Sequence, residues 1–110
     1  MYYPDKWVVV KMIEKDRPDC YRVFATWRGG YLSGDSWQIN SGIVSVKHEN
    51  RHYAFKSRSG KTYNCEQESY GTSNWTSMVL NDLIRSAKSV GIDIELMPED
   101  TDWLELDYKE

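Results

Sequence analysis

The hydrophobic positions of the chain follow two different periods. Apolar and polar residues alternate, or gather in short apolar runs, through most of residues 6–65, whereas residues 74–90 place an apolar residue every three to four positions. A period of two indicates β-strands, and a period near 3.6 indicates an amphipathic helix. The pattern therefore predicts several strands followed by one main helix.

Turn-forming residues divide the predicted strands into hairpins. Residues 6–13 are β-branched and apolar on both faces, which predicts a buried central strand, and residues 21–27 form its partner in a first hairpin. Further strands are predicted at residues 36–40, 42–48, 52–57, 61–65 and 92–96. The change of phase at Ser41 and Gly42 indicates a β-bulge or a sharp bend. Residues 102–108 are either a final edge strand or a frayed tail.

The predicted helix spans residues 74–90 and has suitable residues at both ends. Thr72 or Ser73 is placed to cap its first turn, and Gly91 is placed for the left-handed residue that follows its last turn. Its apolar stripe, which we expect to face the sheet, consists of Trp75, Val79, Leu83, Ile84, Ala87 and Val90.

These elements predict a single α+β domain covering residues 1–110. In this domain, a mostly antiparallel, twisted sheet of five to seven strands packs one face on the helix at about 74–90. The alternative arrangement is a small, partly open β-barrel with one helix. The length of 110 residues suits one domain and leaves no room for a second core.

Charge is unevenly distributed along the chain. Residues 1–70 carry 11 Lys and Arg against 8 Asp and Glu, a net charge of +3, whereas residues 71–110 carry 3 against 9, a net charge of −6. Either the acidic end lies across the basic sheet and neutralises it, or the two regions form surfaces for charged partners. Mimicry of a nucleic-acid backbone by the acidic end is less favoured, because its charge density is well below that of a duplex.

The composition is that of an ordinary globular domain. No apolar run approaches the roughly 20 residues of a membrane helix, and the N-terminus lacks the pattern of a signal peptide. We therefore expect a cytoplasmic protein with no membrane contact. Cys20 and Cys65 are too few for a disulfide framework and are expected to be ordinary thiols.

Known catalytic and metal-binding motifs are absent from the sequence. His48 and His52 are four residues apart, but they flank a predicted hairpin turn rather than share a helix face, and no Cys-x-x-Cys pair accompanies them. Cys65 and a histidine would form a nucleophile and its base only if folding gathered them in a pocket. We therefore predict no catalytic residue, no metal, no cofactor and no enzymatic activity.

Basic and aromatic residues interleave between Arg51 and Tyr63, which suggests an alternative function. An exposed sheet face of this composition binds single-stranded nucleic acid by stacking bases and holding phosphates. The candidate contacts are Arg22, Lys47, Arg51, Lys56 and Arg58. Strand parity, however, places Tyr53 and Phe55 on one face and Lys56 on the other, as expected if the aromatic residues belong to the core.

Three segments from the middle of the chain share a pattern with known proteins. Residues 27–31 (WRGGY), 35–43 (DSWQINSGI) and 59–65 (SGKTYNC) resemble small uncharacterised proteins of tailed bacteriophages. The resemblance covers roughly the middle third of the chain and implies an accessory protein that acts in a bacterial host cytoplasm. It implies no activity and assigns no functional residue.

The glycine-rich loop that follows Trp27 is the predicted contact surface. Aromatic and arginine side chains on a glycine-hinged loop are typical interface anchors, and Arg28, Tyr31 and Trp37 are the candidates. We therefore expect a non-enzymatic binding or accessory module that makes protein–protein contacts with an unidentified partner, with single-stranded nucleic-acid binding as the alternative. Because an open sheet leaves strand edges to cover, a homodimer through one edge is a further expectation.

Overall fold

The computed structural model describes residues 1–29 and 34–108, which form seven strands, one main helix and a short 3-10 turn at Gln67–Ser69. In chain order the elements are β1 (Lys6–Glu14), β2 (Cys20–Trp27), β3 (Ser36–Ile39), β4 (Ile43–Glu49), β5 (His52–Ser57), β6 (Thr62–Glu66), α1 (Asn74–Ser89) and β7 (Ile92–Leu96). No helix in these described ranges is long and apolar enough to span a bilayer. The α+β class is confirmed.

The seven strands form two antiparallel sheets. The larger sheet has the strand order β3-β2-β1-β7, and the smaller sheet has the order β4-β5-β6. Within the described part of the chain, the sheets are not closed into a barrel. Because β1 lies between two partners and carries a fully buried run at residues 7–10, the prediction of a central strand is confirmed.

The larger sheet is the middle of three layers. Successive side chains of β1 point to opposite faces, so Val8 and Val10 pack against α1 while Trp7 and Val9 pack against the smaller sheet. The core beneath α1 consists of Val8, Val10, Phe24 and Leu80. The core between the two sheets consists of Trp7, Val9, Val23, Ala25, Ile43, Phe55, Tyr63, Cys65 and Trp103.

The chain passes from the larger sheet to the smaller one at Ser41 and Gly42. Gly42 has a φ of 126°, a backbone conformation that glycine adopts readily. The side-chain oxygen of the buried Asn40 accepts hydrogen bonds from the backbone N–H groups of Val23 and Gly42, at 3.0 and 3.2 Å, and so holds this turn. The register shifts between Ile43 and Ser45, so the predicted irregularity is present.

The helix begins and ends where the sequence predicts, but its buried face is different. Ser73 and Thr76 form a reciprocal capping box. Trp75 is 49% exposed and Val90 is 73% exposed, whereas Thr76 and Leu80 are buried. Because neighbouring helix residues lie about 100° apart, turning Thr76 inward moves Trp75 to the edge of the interface. Placing Trp75 and Val90 in the buried stripe was therefore wrong.

The C-terminal segment (residues 97–108) is neither an edge strand nor a frayed tail. It consists of turns, and its Trp103 is 2% exposed in the core between the sheets. Its first residue is fixed to β1, since the backbone N–H of Met97 donates to the carbonyl of Val9 at 2.9 Å. The hydroxyl of Tyr108 donates to the carbonyl of Trp103 at 2.5 Å. The segment therefore covers one end of the core.

Candidate functional site

A cleft of about 800 Å³ opens where the C-terminal segment meets the two sheets. Four parts of the chain contribute to it: the start of β1, the start of β5 with the turn before it, residues 67–70, and the C-terminal segment. We call it the acidic cleft, and its lining residues are Trp7, Arg51, Tyr53, Gln67, Glu68, Tyr70, Glu99, Asp100, Thr101 and Trp103.

The floor of the acidic cleft is aromatic. The ring centroid of Trp7 lies 4.8 Å from that of Tyr70, 5.8 Å from that of Trp103 and 6.2 Å from that of Tyr53. Trp7 is only 1% exposed, and its indole N–H donates to the carbonyl of Glu66 at 2.7 Å. The two tryptophans therefore form a fixed base, and the half-buried tyrosines offer most of the ring surface that a ligand can reach.

The rim of the acidic cleft carries more negative than positive charge. Glu68, Glu99 and Asp100 are exposed, and Arg51 is the basic residue of the lining. Arg51 forms an ion pair with Glu68, and both side chains are more than 60% exposed. An exposed pair of this kind contributes up to about 1 kcal/mol. The rim therefore has a net charge of −2, and Glu99 and Asp100 carry it.

Tyr70 joins the two walls of the cleft. Its hydroxyl donates to the carbonyl of Met97 at 2.5 Å and accepts from the backbone N–H of Val9 at 3.2 Å. Burial raises the pKa of Tyr70 to about 12, and the negative charge of Glu99 adds to the effect. The phenol therefore stays neutral at physiological pH and keeps the C-terminal segment attached to β1.

The cleft presents binding groups for a cation. Carboxylates attract a positive charge, and the face of an aromatic ring attracts it further when the ring lies within about 6 Å. The only hydroxyl of the lining besides those of the tyrosines, on Thr101, already donates to the carbonyl of Pro98 at 2.6 Å. The chemistry that this cleft offers is thus that of carboxylates and tyrosine rings lining one concave surface.

The loop residues predicted as a contact surface lie elsewhere. The side chain of Arg28 is exposed, and its backbone N–H donates to the carboxylate of Asp5 at 2.7 Å. Trp37 is 38% exposed on β3 and stacks on Phe24 with the ring centroids 5.6 Å apart. Arg28 lines a crevice of about 80 Å³ that Trp37 does not line. Tyr31 lies outside the described residues.

The smaller sheet separates its basic and aromatic residues. Lys56 is paired with Ser45 and Lys47 with Ala54, and both lysines lie on the outer face of the sheet. Phe55, one residue from Lys56, is fully buried between the sheets, as is Tyr63. Beside Lys47, the described outer face offers the imidazole of His52 rather than a phenylalanine, tyrosine or tryptophan ring, so it provides little surface for base stacking.

Two of the predicted basic residues do meet in a second cleft. Arg22 and Arg58 line a depression of about 150 Å³ near the end of β1 that is farther from Trp7. We call it the arginine cleft, and its lining residues are Met12, Glu14, Arg17, Pro18, Cys20, Arg22, Arg58 and Ile92. Arg51, by contrast, belongs to the acidic cleft, so the five candidate nucleic-acid contacts occupy three separate surfaces.

The histidines and cysteines are dispersed. His48 stacks on Tyr53 at 4.3 Å and bonds to the side chain of Gln67 at 2.8 Å, whereas His52 is on the outer face of β5. Both thiols are free; Cys65 is buried, which raises its pKa, and Cys20 is half-buried. In the described ranges, no three His, Cys, Asp or Glu side chains are grouped to hold a metal ion.

Apart from Arg51, which the sequence marked as a candidate nucleic-acid contact, the residues of the acidic cleft were not among the predicted contacts. Glu99 and Asp100 resemble any solvated acidic stretch, and Trp7 and Tyr70 are far apart in the chain. The one local signal was Trp103, a large apolar residue within an acidic stretch, which indicates a segment anchored to the core. Comparison of the chain with known proteins finds no matching family model, no matching curated protein and no matching solved structure.

Proposed function

We propose that the protein is a non-enzymatic binding module that holds a positively charged segment of a partner protein in the acidic cleft. The observation that carries the proposal is the exposure of Glu99 and Asp100 beside the tyrosine rings of the cleft. Protein–protein contact was also the function expected from the sequence, with Arg28, Tyr31 and Trp37 as the candidate anchors. The proposed function is therefore the expected one, but the contact surface is the acidic cleft instead of the loop after Trp27.

The dimensions of the acidic cleft suit part of a peptide. Its volume of about 800 Å³ falls in the range of about 300–1,000 Å³ that is typical of ligand sites. A basic side chain in it gains two exposed ion pairs of up to about 1 kcal/mol each and a cation–π contact of about 0.5–1 kcal/mol. One such side chain binds weakly, so the natural ligand is a segment with more than one positive charge.

Arginine suits the acidic cleft better than lysine. A planar guanidinium stacks on a tyrosine ring while its N–H groups pair with a carboxylate, whereas an ammonium is a compact, strongly hydrated charge. Within the rim, the guanidinium of Arg51 already pairs with a carboxylate, that of Glu68. The near-complete burial of Trp7 and Trp103 leaves no open aromatic cage of the kind that holds a quaternary ammonium.

The test is isothermal titration with a pentapeptide that carries two arginines. We expect the double variant Glu99→Gln, Asp100→Asn to bind about tenfold more weakly, since it loses both ion pairs. The matched control is Asp93→Asn, Glu95→Gln on β7, which makes the same change in charge outside the cleft and should bind like the wild type. Replacing both arginines of the peptide with lysine should also weaken binding.

Equal binding of the peptide by the two double variants would mean that its affinity depends on the net charge of the protein, and it would contradict binding in the acidic cleft. No binding to the wild-type protein at low salt would reject the function as proposed. The resemblance of the middle third of the chain to tailed-bacteriophage proteins supports an accessory role in a bacterial host, in which a host or phage protein supplies the basic segment.

A further inference from the structure

Arg51 occupies a turn position that does not favour a side chain. The two-residue turn between β4 and β5 consists of Asn50 and Arg51, whose φ angles are 51° and 63°. Turns of this kind usually carry glycine at the second position, because a left-handed backbone brings a Cβ atom close to the following carbonyl oxygen. Non-glycine residues held in this region cluster at functional sites. We therefore expect the side chain of Arg51 to contribute something that glycine could not.

The side chain of Arg51 contributes a positive charge to the acidic cleft. Its guanidinium pairs with the carboxylate of Glu68, and both residues line the cleft. The two backbone segments are joined as well, since the N–H of Gln67 donates to the carbonyl of Arg51 at 2.8 Å. The ion pair therefore forms between segments that are already fixed side by side, and only side chains need to move for it to open.

This internal ion pair has the same chemistry as the proposed contact with the ligand. In both, an arginine guanidinium pairs with a carboxylate of the rim. Because both side chains of the pair are more than 60% exposed, a competing guanidinium can reach them, and an exposed pair is weak enough to be exchanged. If Glu99 and Asp100 hold the first arginine of a ligand, Glu68 is the remaining carboxylate of the lining for a second one.

We propose that Arg51 is a built-in competitor of the ligand, which pairs with Glu68 in the free protein and releases it to the second arginine of the bound segment. The role of Arg51 rests on the proposed function of the acidic cleft. Exchange of one arginine for another at Glu68 adds little net affinity, because one ion pair is broken for the one that forms. Arg51 therefore weakens binding of the partner segment and keeps Glu68 paired when the cleft is empty.

The test is calorimetric titration of the two-arginine pentapeptide at low, fixed ionic strength, with Arg51→Gln compared with Lys15→Gln. The two variants make the same change in charge, but Lys15 is exposed in the turn after β1 and does not line the cleft. We expect Arg51→Gln to bind the peptide about threefold to fivefold more tightly than Lys15→Gln does, the factor that corresponds to one exposed ion pair.

A double-mutant cycle with Glu68→Gln shows whether the gain arises at Glu68. In the Glu68→Gln background, Arg51→Gln and Lys15→Gln should bind the peptide equally, because the carboxylate for which the arginines compete is absent. Equal binding by the two variants in the wild-type background, or an undiminished gain in the Glu68→Gln background, overturns the role of Arg51 and leaves the function of the cleft in place. Absence of peptide binding to both the wild-type protein and Arg51→Gln rejects the proposed function instead, and the role of Arg51 with it.

Discussion

Replacing Trp103 with alanine tests how strongly the C-terminal segment belongs to the core. The indole lies between the rings of Trp7, Tyr70 and Phe55, with centroid distances of 5.8, 5.6 and 6.2 Å. Alanine removes all three ring contacts and leaves a cavity between the sheets, because the surrounding rings belong to separate elements and relax only in part.

The expected loss is large for a domain of this size. Truncation of a buried tryptophan typically costs about 3–5 kcal/mol, while the whole free energy of unfolding of such a domain is about 5–15 kcal/mol. The hydrogen bonds at Met97 remain in the variant, so the start of the C-terminal segment stays attached to β1. With a urea m-value near 2 kcal/mol/M, the midpoint of unfolding should fall by about 1.5–2.5 M.

Urea denaturation followed by far-UV circular dichroism measures this loss. The matched control is Trp75→Ala, because that side chain is half-exposed on α1 and alanine is the best helix former. We expect the control to change stability by no more than about 0.5 kcal/mol. If the two variants unfold at the same urea concentration, Trp103 does not anchor the segment, and the acidic cleft lacks the fixed wall described above.

Two further predictions concern Tyr70 and Gly60. Tyr70→Phe should lower stability by about 1–3 kcal/mol, because it leaves the carbonyl of Met97 without its donor. The wild-type protein should lose stability as pH rises from 10 towards 12, because the unfolded chain releases the Tyr70 proton near pH 10 while the folded chain, in which the pKa of Tyr70 is about 12, retains it. Urea titrations across this pH range should show a smaller loss of stability for Tyr70→Phe than for the wild type. An equal loss of stability per pH unit in the two proteins would contradict the role of burial. Gly60→Ala should lower the free energy of unfolding, measured by urea denaturation, by about 1–2 kcal/mol, since Gly60 has a φ of 90°. Gly34→Ala, at an exposed glycine outside the left-handed region, should leave that free energy unchanged.

The local elements were predictable from the sequence because each is encoded by neighbouring residues. The apolar run on both faces of β1 requires a strand that is covered on both faces, and α1 and the smaller sheet provide that cover. Ser73 and Gly91 bound the helix as predicted, with Gly91 at a φ of 86°. Strand parity also correctly indicated that Phe55 faces the core and Lys56 faces outward.

The division into two sheets was not predictable in the same way. The sequence marks an irregularity at Gly42, but a bulge within one sheet and a passage to another sheet produce the same local pattern. The difference lies in distant contacts, such as the side-chain amide of Gln38 donating to the hydroxyl of Tyr63 across the two sheets at 2.9 Å. Pairings of this kind have no signal in a single sequence.

The candidate sites, like the fold, were predictable in their local residues and not in how those residues come together. The sequence identified Arg22 and Arg58 as basic groups with binding potential, but only the fold brings them into one cleft. Glu99 and Asp100 gain their importance from lining the same cleft as Tyr70, which a different part of the chain supplies. Charge and residue type are local properties, whereas the concavity that makes a site results from packing.

The position of β1 between β2 and β7 affects how the protein is made. Seventy-seven residues separate the end of β1 at Glu14 from the start of β7 at Ile92. A ribosome adding about 5–20 residues per second needs about 4–15 s to synthesise them. During that interval one edge of the most apolar strand has no partner, and an unpaired apolar edge pairs readily with another chain. The nascent protein is therefore most vulnerable to aggregation just before its last strand emerges.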